Sequence, residues 1–349
     1  MNYKIIQFDF AFQTAGKNRE FCIEYNDLYI KHINTKIDGQ KIEAFHDTKK
    51  VIGGIDKHVQ MHGNANMIYN NDVIDKTTSF DIHEEDPSFL LYDEAGVNYM
   101  HFFFCCFGKS MYYDELIKTK NIKLYIPEEL IDNKNNYSYV KEWFDLYYPN
   151  IKINTLLYNK RYKFKNVIVP NSFYCYPQPY GYTGIVDMIR KVVDRVDTDP
   201  NLLNKTAYIS RQDTIKRGWW HKRTLQNELE LINKFQKLNY DIIELMDYNM
   251  KDKIRIFKSY KNIIQQHGAS TTGILFSSKN TNHFLLEHPK MTWWATPKCR
   301  EFAQLTKSNL IVIEGFGELL PEEKQKDDNN YPWKLIELDY LVDNIASLT

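Results

Sequence analysis

The chain has 349 residues, enough for two domains that each bury a core. Its 45 basic and 45 acidic residues cancel, which argues against a large nucleic-acid or anionic-membrane surface. A hydrophobic content of 43% with 15% aromatic residues excludes disorder as the default, so any anionic ligand must be met by a few local charges.

From the N-terminus, "YKIIQFDF", "LYIKHI" and "IKLYIP" read as strands, and Met100 to Lys118 reads as a helix. The longest apolar run, "MHFFFCCF", is too short to span a bilayer, and the first residues lack the apolar core of a signal peptide. Cys22, Cys105, Cys106, Cys175 and Cys299 are odd in number and lack metal-type spacing, so free thiols in a reducing compartment are expected. Together these features predict a cytoplasmic protein with no transmembrane segment. Pro170, Pro177, Pro179, Gly181 and Gly184 then crowd one turn-rich passage, where we place an interdomain linker.

Beyond it a helix is expected over Ile185 to Val196, and the pattern becomes regular. "TAYIS", "YDIIEL", "NIIQQ", "HFLLE" and "NLIVIE" read as short buried strands. Between them lie helical patterns at Leu225 to Leu238, Met250 to Tyr260 and Thr271 to about Ser277. Strands alternating with helices predict a parallel sheet covered on both faces, a Rossmann-like α/β domain. The expected division is residues 1–175, residues 176–330, and a last helix in 331–349 that packs back on the first domain.

Several motifs fail on inspection. Gly108-Lys109-Ser110 lacks the earlier glycine of a phosphate-binding loop and sits in an aromatic run. Asp197-Thr198-Asp199 offers a metal-binding pair, but its place between a helical pattern and Pro200 suits a solvated turn better. No zinc spacing or serine-nucleophile elbow is present in the sequence.

Four features remain, each at or just after the C-terminal end of a predicted strand, where open α/β sheets bind ligands. Arg211 follows "YIS", and its guanidinium can fork onto two phosphate oxygens or, more plainly, pair with Asp213. Lys216, Arg217, Lys222 and Arg223 precede a helix whose N-terminus favours anions, and Arg223 is the individual candidate. In "QQHGASTTG", His267 and Gly268 follow the strand Asn262 to Gln266, Gly268 lets the backbone turn and approach a ligand closely, and Ser270, Thr271 and Thr272 open the next helix. The same hydroxyls can instead simply cap the helix. Glu287 ends "FLLE"; at such an edge a carboxylate can accept ribose hydroxyls or form a salt bridge.

In this order "YISRQD", "RTLQNE", "QQHGAS" and "LLEHP" resemble the signature of glycosyltransferase family 61, which includes plant xylosyltransferases and the EGF-domain-specific O-GlcNAc transferase. The likeness is strongest over residues 206–290. "NYMHFF" and "YKFKNVIVPN" are weaker matches before it. The resemblance implies a GT-B architecture, two Rossmann-like domains facing across a cleft, and inverting, metal-independent transfer from a nucleotide sugar with no further cofactor.

It assigns Arg211 and the segment Gly268, Ala269, Ser270, Thr271 and Thr272 to the diphosphate, His267 beside it, and Glu287 to the ribose. The catalytic base would come from the first domain, with His101 the candidate and Asp81, Glu84, Glu85 and Asp114 its rivals, because Cys105 stands where the family often has an acid. Trp219-Trp220 and Trp293-Trp294 are candidates for stacking on sugars, against the commoner reading that they fill cores. The expected reaction moves a sugar, GlcNAc or xylose, from a UDP-sugar to a hydroxyl of a glycan or glycoconjugate. The alternatives are an inactive nucleotide-sugar-binding module and a GT-B-like transferase that adds a non-sugar group to polysaccharide.

Overall fold

The computed structural model describes residues 3–7, 21–35, 39–46, 49–52, 80–91, 99–131, 138–157, 160–170, 183–216, 225–290, 295–319 and 332–349. They form two units, Met1–Ile185 and Val186–Thr349. No helix among the described residues is long and apolar enough to cross a membrane.

The first unit is built on a mixed sheet. Strands β1 (Tyr3–Gln7), β2 (Phe21–Thr35), β3 (Gly39–His46) and β4 (Lys49–Ile52) pair antiparallel. Next come β5 (Ile82–Glu84), β6 (Ser88–Leu90), β7 (Lys123–Pro127), β8 (Ile153–Leu156) and β9 (Arg161–Pro170), and the main order is β4-β3-β2-β9-β6-β7-β8. The β9-β6-β7-β8 portion is parallel, whereas β2 runs antiparallel to β9 from Cys22↔Pro170 to Lys31↔Arg161. Only the parallel portion has the Rossmann-like pattern expected of the first half. The antiparallel strands extend it because β9 buries Tyr162, Phe164, Val167 and Ile168 as a long central strand, in a stretch whose nearby prolines read as the approach to a linker.

The helix expected over Met100 to Lys118 is a helical run that changes pitch three times. It passes from α1 (Tyr99–His101) through a π turn at Phe102–Cys106 and a 3-10 turn at Phe107–Lys109 to α2 (Ser110–Leu116). Phe102, Phe103, Phe104, Cys106 and Phe107 are all buried, as in a helix sunk within a core. After the short α3 (Glu128–Ile131), α4 (Ser138–Tyr147) brings Trp143, Phe144 and Tyr147 against them. Phe103–Trp143 and Phe107–Tyr147 meet edge to face at 4.8 Å, geometry that adds about 0.5–1.5 kcal/mol per pair beyond burial. Lys109 and Ser110 are buried in this run, which is no place for a phosphate loop.

Helix α5 (Thr183–Val193) leads into the second unit. Its five strands, β10 (Thr206–Ser210), β11 (Asp241–Glu244), β12 (Asn262–Gln266), β13 (Asn282–Leu286) and β14 (Asn309–Ile313), are parallel in the order β11-β10-β12-β13-β14. The chain thus leaves β10 in one direction to make β11 and in the other to make β12. The crevice outside the strand ends at such a reversal is where doubly wound sheets bind ligands.

The helices are α6 (Gln212–Lys216), α7 (Glu228–Lys237), α8 (Met250–Ser259), α9 (Ala295–Thr306) and α10 (Leu338–Leu348), with a small antiparallel pair β15 (Gly317–Leu319) and β16 (Trp333–Leu335). Side-chain alternation sends Tyr208, Ile264, Phe284 and Leu286 to one face, where they pack with Leu231 and Phe235 of α7. The same core takes Leu338, Leu341 and Ile345 of the last helix. Its apolar stripe is buried in the second unit beside α7, because the sheet leaves that face to be covered there. On the opposite face Phe257 of α8 stacks on His283 and meets Phe276.

Candidate active site

The loops after β10 and β12 flank the reversal of strand order, and both begin with residues singled out by the sequence. Arg211 is the first residue after β10. Its Nη1 donates to the His267 carbonyl at 3.0 Å, so the loop after β12 aims the guanidinium. Burial lowers the Arg211 pKa and the Glu228 carboxylate opposes that shift, but an arginine keeps its charge regardless. Asp213, whose charge also favours the guanidinium, accepts from the Met246 amide at 2.9 Å.

Gly268 lies directly against that guanidinium. Its backbone is extended, with φ of 163°, a conformation open to any residue, so the turn-forming role expected of it is not what the structure uses. A Cβ built there lies 3.3 Å from Arg211 Nη1 and 3.4 Å from Cζ. A side chain there would make the guanidinium give way by a few tenths of an ångström.

The expected helix after His267 is an eight-residue 3-10 helix, Ala269–Phe276. Thr271 turns its hydroxyl back to the Gly268 carbonyl at 2.7 Å, and Thr272 is wholly buried. Those two side chains face inward, which leaves the backbone of Gly268, Ala269 and Ser270 as the accessible part of the segment. Among the described residues no bond takes the amides of Ala269 and Ser270. Two such N–H groups beside a guanidinium suit an anion.

His267 is buried, and its Nε2 lies 3.1 Å from Thr296 Oγ1. Thr296 in turn donates to Glu287 Oε1 at 2.7 Å. The carboxylate expected at the ribose is thus tied through a threonine to the histidine. Nothing in the spacing of the sequence linked these three residues, and Thr296 escaped notice because its partners come from two different strand ends.

Glu228 was likewise missed, although it closes the quoted "RTLQNE". It is fully buried at the start of α7 and accepts four hydrogen bonds. These come from Tyr208 Oη and the Arg211 amide at 2.9 Å each, Gln212 Nε2 at 2.7 Å and Gln266 Nε2 at 2.6 Å. Burial, and then the Glu228 carboxylate, push the Tyr208 phenol well above its ordinary pKa, so it stays a donor. One carboxylate therefore fixes the ends of β10 and β12 and the first turn of α7.

In the first unit His101 lies half-buried at the end of α1. Its rivals are engaged elsewhere. Asp114 accepts from Tyr147 Oη at 2.5 Å and Tyr148 Oη at 2.6 Å. Glu84 accepts from Lys123 at 2.8 Å, from Tyr125 and from the Asp86 amide; burial pushes its pKa up, but these bonds, led by Lys123, hold it below the ordinary value. Asp81 takes the Arg161 amide at 2.9 Å, and exposed Glu85 pairs with Lys165 at 3.0 Å. Asp199 caps a 3-10 turn by accepting from the Asn201 amide at 2.9 Å, as a solvated turn should. Among the described residues no three His, Cys, Asp or Glu side chains cluster as a metal site. Arg223, both tryptophan pairs and the side chain of Cys105 lie outside the described residues.

Comparison with protein families matches residues 98–284, more than half of the chain, to the family described as Glycosyltransferase 61. The chain belongs to glycosyltransferase family 61. The matched span runs from the residue before α1 to within β13, and so takes in His101, Arg211, Glu228 and the His267–Thr272 segment. A search of curated proteins gave no match. Membership makes the protein a glycosyltransferase of α/β fold that works with a sugar donor and a glycan acceptor.

Proposed function

We propose that this family 61 glycosyltransferase is an inverting, metal-independent enzyme of GT-B architecture that transfers GlcNAc or xylose from a UDP-sugar to a hydroxyl of a glycan or glycoconjugate in the cytoplasm. The observation that carries the reading is Arg211 held by the His267 carbonyl beside Gly268, at the reversal of strand order. Departure of the nucleotide diphosphate leaves negative charge on its oxygens. Arg211 and the amides of Ala269 and Ser270 are fixed in place before that charge develops, which is how such groups lower a barrier. Glu228 accepts the Arg211 amide and so fixes the backbone from which the guanidinium reaches the His267 carbonyl.

The acceptor hydroxyl needs a base, and His101 is the candidate because imidazole is the commonest general base and the residue sits in the family-like "NYMHFF" segment. The test is a thermal-shift and transfer assay with UDP-sugars. UDP should raise the melting temperature of the wild type and of His101→Ala but not of Arg211→Ala, and His101→Ala should lose transfer about 100-fold or more. EDTA should change nothing. Failure of every nucleotide to stabilise the protein would refute the donor site; binding without transfer would mark an inactive binding module.

A further inference from the structure

Thr296 has a single hydroxyl proton, and a carboxylate can only accept. The 2.7 Å bond to Glu287 therefore uses that proton, so the 3.1 Å contact with His267 must be a bond in which Nε2–H donates to the threonine oxygen. All three side chains are buried: His267 by 98%, Thr296 by 96% and Glu287 by 91%. Water does not compete for these bonds, and each link fixes the next.

We infer that Thr296 is a positioning residue of the transfer reaction, a one-hydroxyl bridge through which Glu287 fixes the tautomer and ring plane of His267. This rests on the donor-site reading above. The same histidine supplies, through its carbonyl, the bond that aims Arg211. The bridge thus steadies two groups at once. It keeps the Nε2 edge of the ring turned inward, and it keeps the carbonyl of that residue facing the guanidinium. Glu287 then acts from behind the histidine.

The full-length chain labelled with ¹⁵N histidine tests this directly. His267, assigned by comparison with His267→Gln, should carry its proton on Nε2 in the neutral wild-type protein. Thr296→Val keeps the shape and removes the bridge, so the Nε2 tautomer should be lost or mixed, whereas Thr296→Ser should restore it. Transfer should fall about tenfold in Thr296→Val, the size of one hydrogen bond to a charged group, and return to within about threefold in Thr296→Ser. A wild-type Nδ1 tautomer, or a His267 spectrum unmoved by Thr296→Val, would overturn the inference. Because the spectrum needs no ligand, its outcome stands apart from the donor-site reading. A correct tautomer pattern with no UDP binding would leave the bridge as a real structural link but overturn its role in transfer.

Discussion

At the scale of single residues, Gly268 leaves little room beside the Arg211 guanidinium. Gly268 has an ordinary extended backbone, so Gly268→Ala costs little conformationally, but the new methyl meets the Arg211 guanidinium at 3.3 Å. The folded chain should keep its stability within about 1 kcal/mol while UDP affinity falls about tenfold as the guanidinium is displaced. Denaturant unfolding and titration calorimetry together check both halves of that statement. His283 offers a second test. Burial pulls its pKa down to about 3, and its Nε2 is hydrogen-bonded to Ser277 Oγ at 2.8 Å. An unfolded histidine titrates near 6.5, so below that pH the unfolded chain takes a proton the folded one refuses, and stability falls from about pH 6.5 towards 3. Glu301, pushed by burial up to about 7 with Lys298 opposing, has the opposite sign and adds stability as pH drops from 7 to its unfolded value. Between pH 7.5 and 4.5 the two effects nearly cancel, so urea midpoints should change little in the wild type, rise as the pH falls in His283→Gln, and fall in Glu301→Gln. Equal slopes in all three would show that neither group controls the acid limb.

At the scale of elements, the unusual piece is the 3-10 helix Ala269–Phe276, since runs beyond three or four residues are uncommon. It packs on α8 so closely that a Cβ on Gly273 falls within 2.1–2.4 Å of the Phe257 ring. Gly273→Ala should therefore destabilise the protein by about 1–3 kcal/mol, and a second substitution, Phe257→Leu, should recover part of that loss. If the double variant is additive instead, the contact is not the cause. The sequence announced the strands around this helix because each is a short apolar run between turn residues, as "TAYIS" and "NIIQQ" show. It did not announce the pitch, because Gly273 acts through Phe257, sixteen positions away. It hid β9 for a different reason: "YKFKNVIVPN" runs straight into the proline- and glycine-rich passage and reads with it, while the strand is held between β2 and β6.

At the scale of the whole molecule, the two units differ in how well the chain declares them. The second follows a simple alternation of strand and helix, so its sheet and the ends that carry Arg211 and His267 were legible from the residue pattern alone. The partners of those residues were not, because Glu228, Gln266 and Thr296 meet them only after three strand ends and two helices have come together. The first unit combines parallel strands with an antiparallel extension, and no single periodicity describes both. The donor reading predicts that UDP protects one unit selectively: in hydrogen exchange on the full chain, amides of 207–213 and 262–276 should slow, while those of β6, β7 and α4 should not. Slowing confined to the first unit would contradict it. The four-bonded carboxylate of Glu228 carries a further consequence. Because it joins two strand ends and a helix at one buried point, α7 cannot lift away without stranding a charge and releasing Arg211 and Gln266 in the same event. The site should therefore show no loosened, weak-binding intermediate: across a denaturation curve, affinity per folded molecule stays constant and only the number of competent molecules declines.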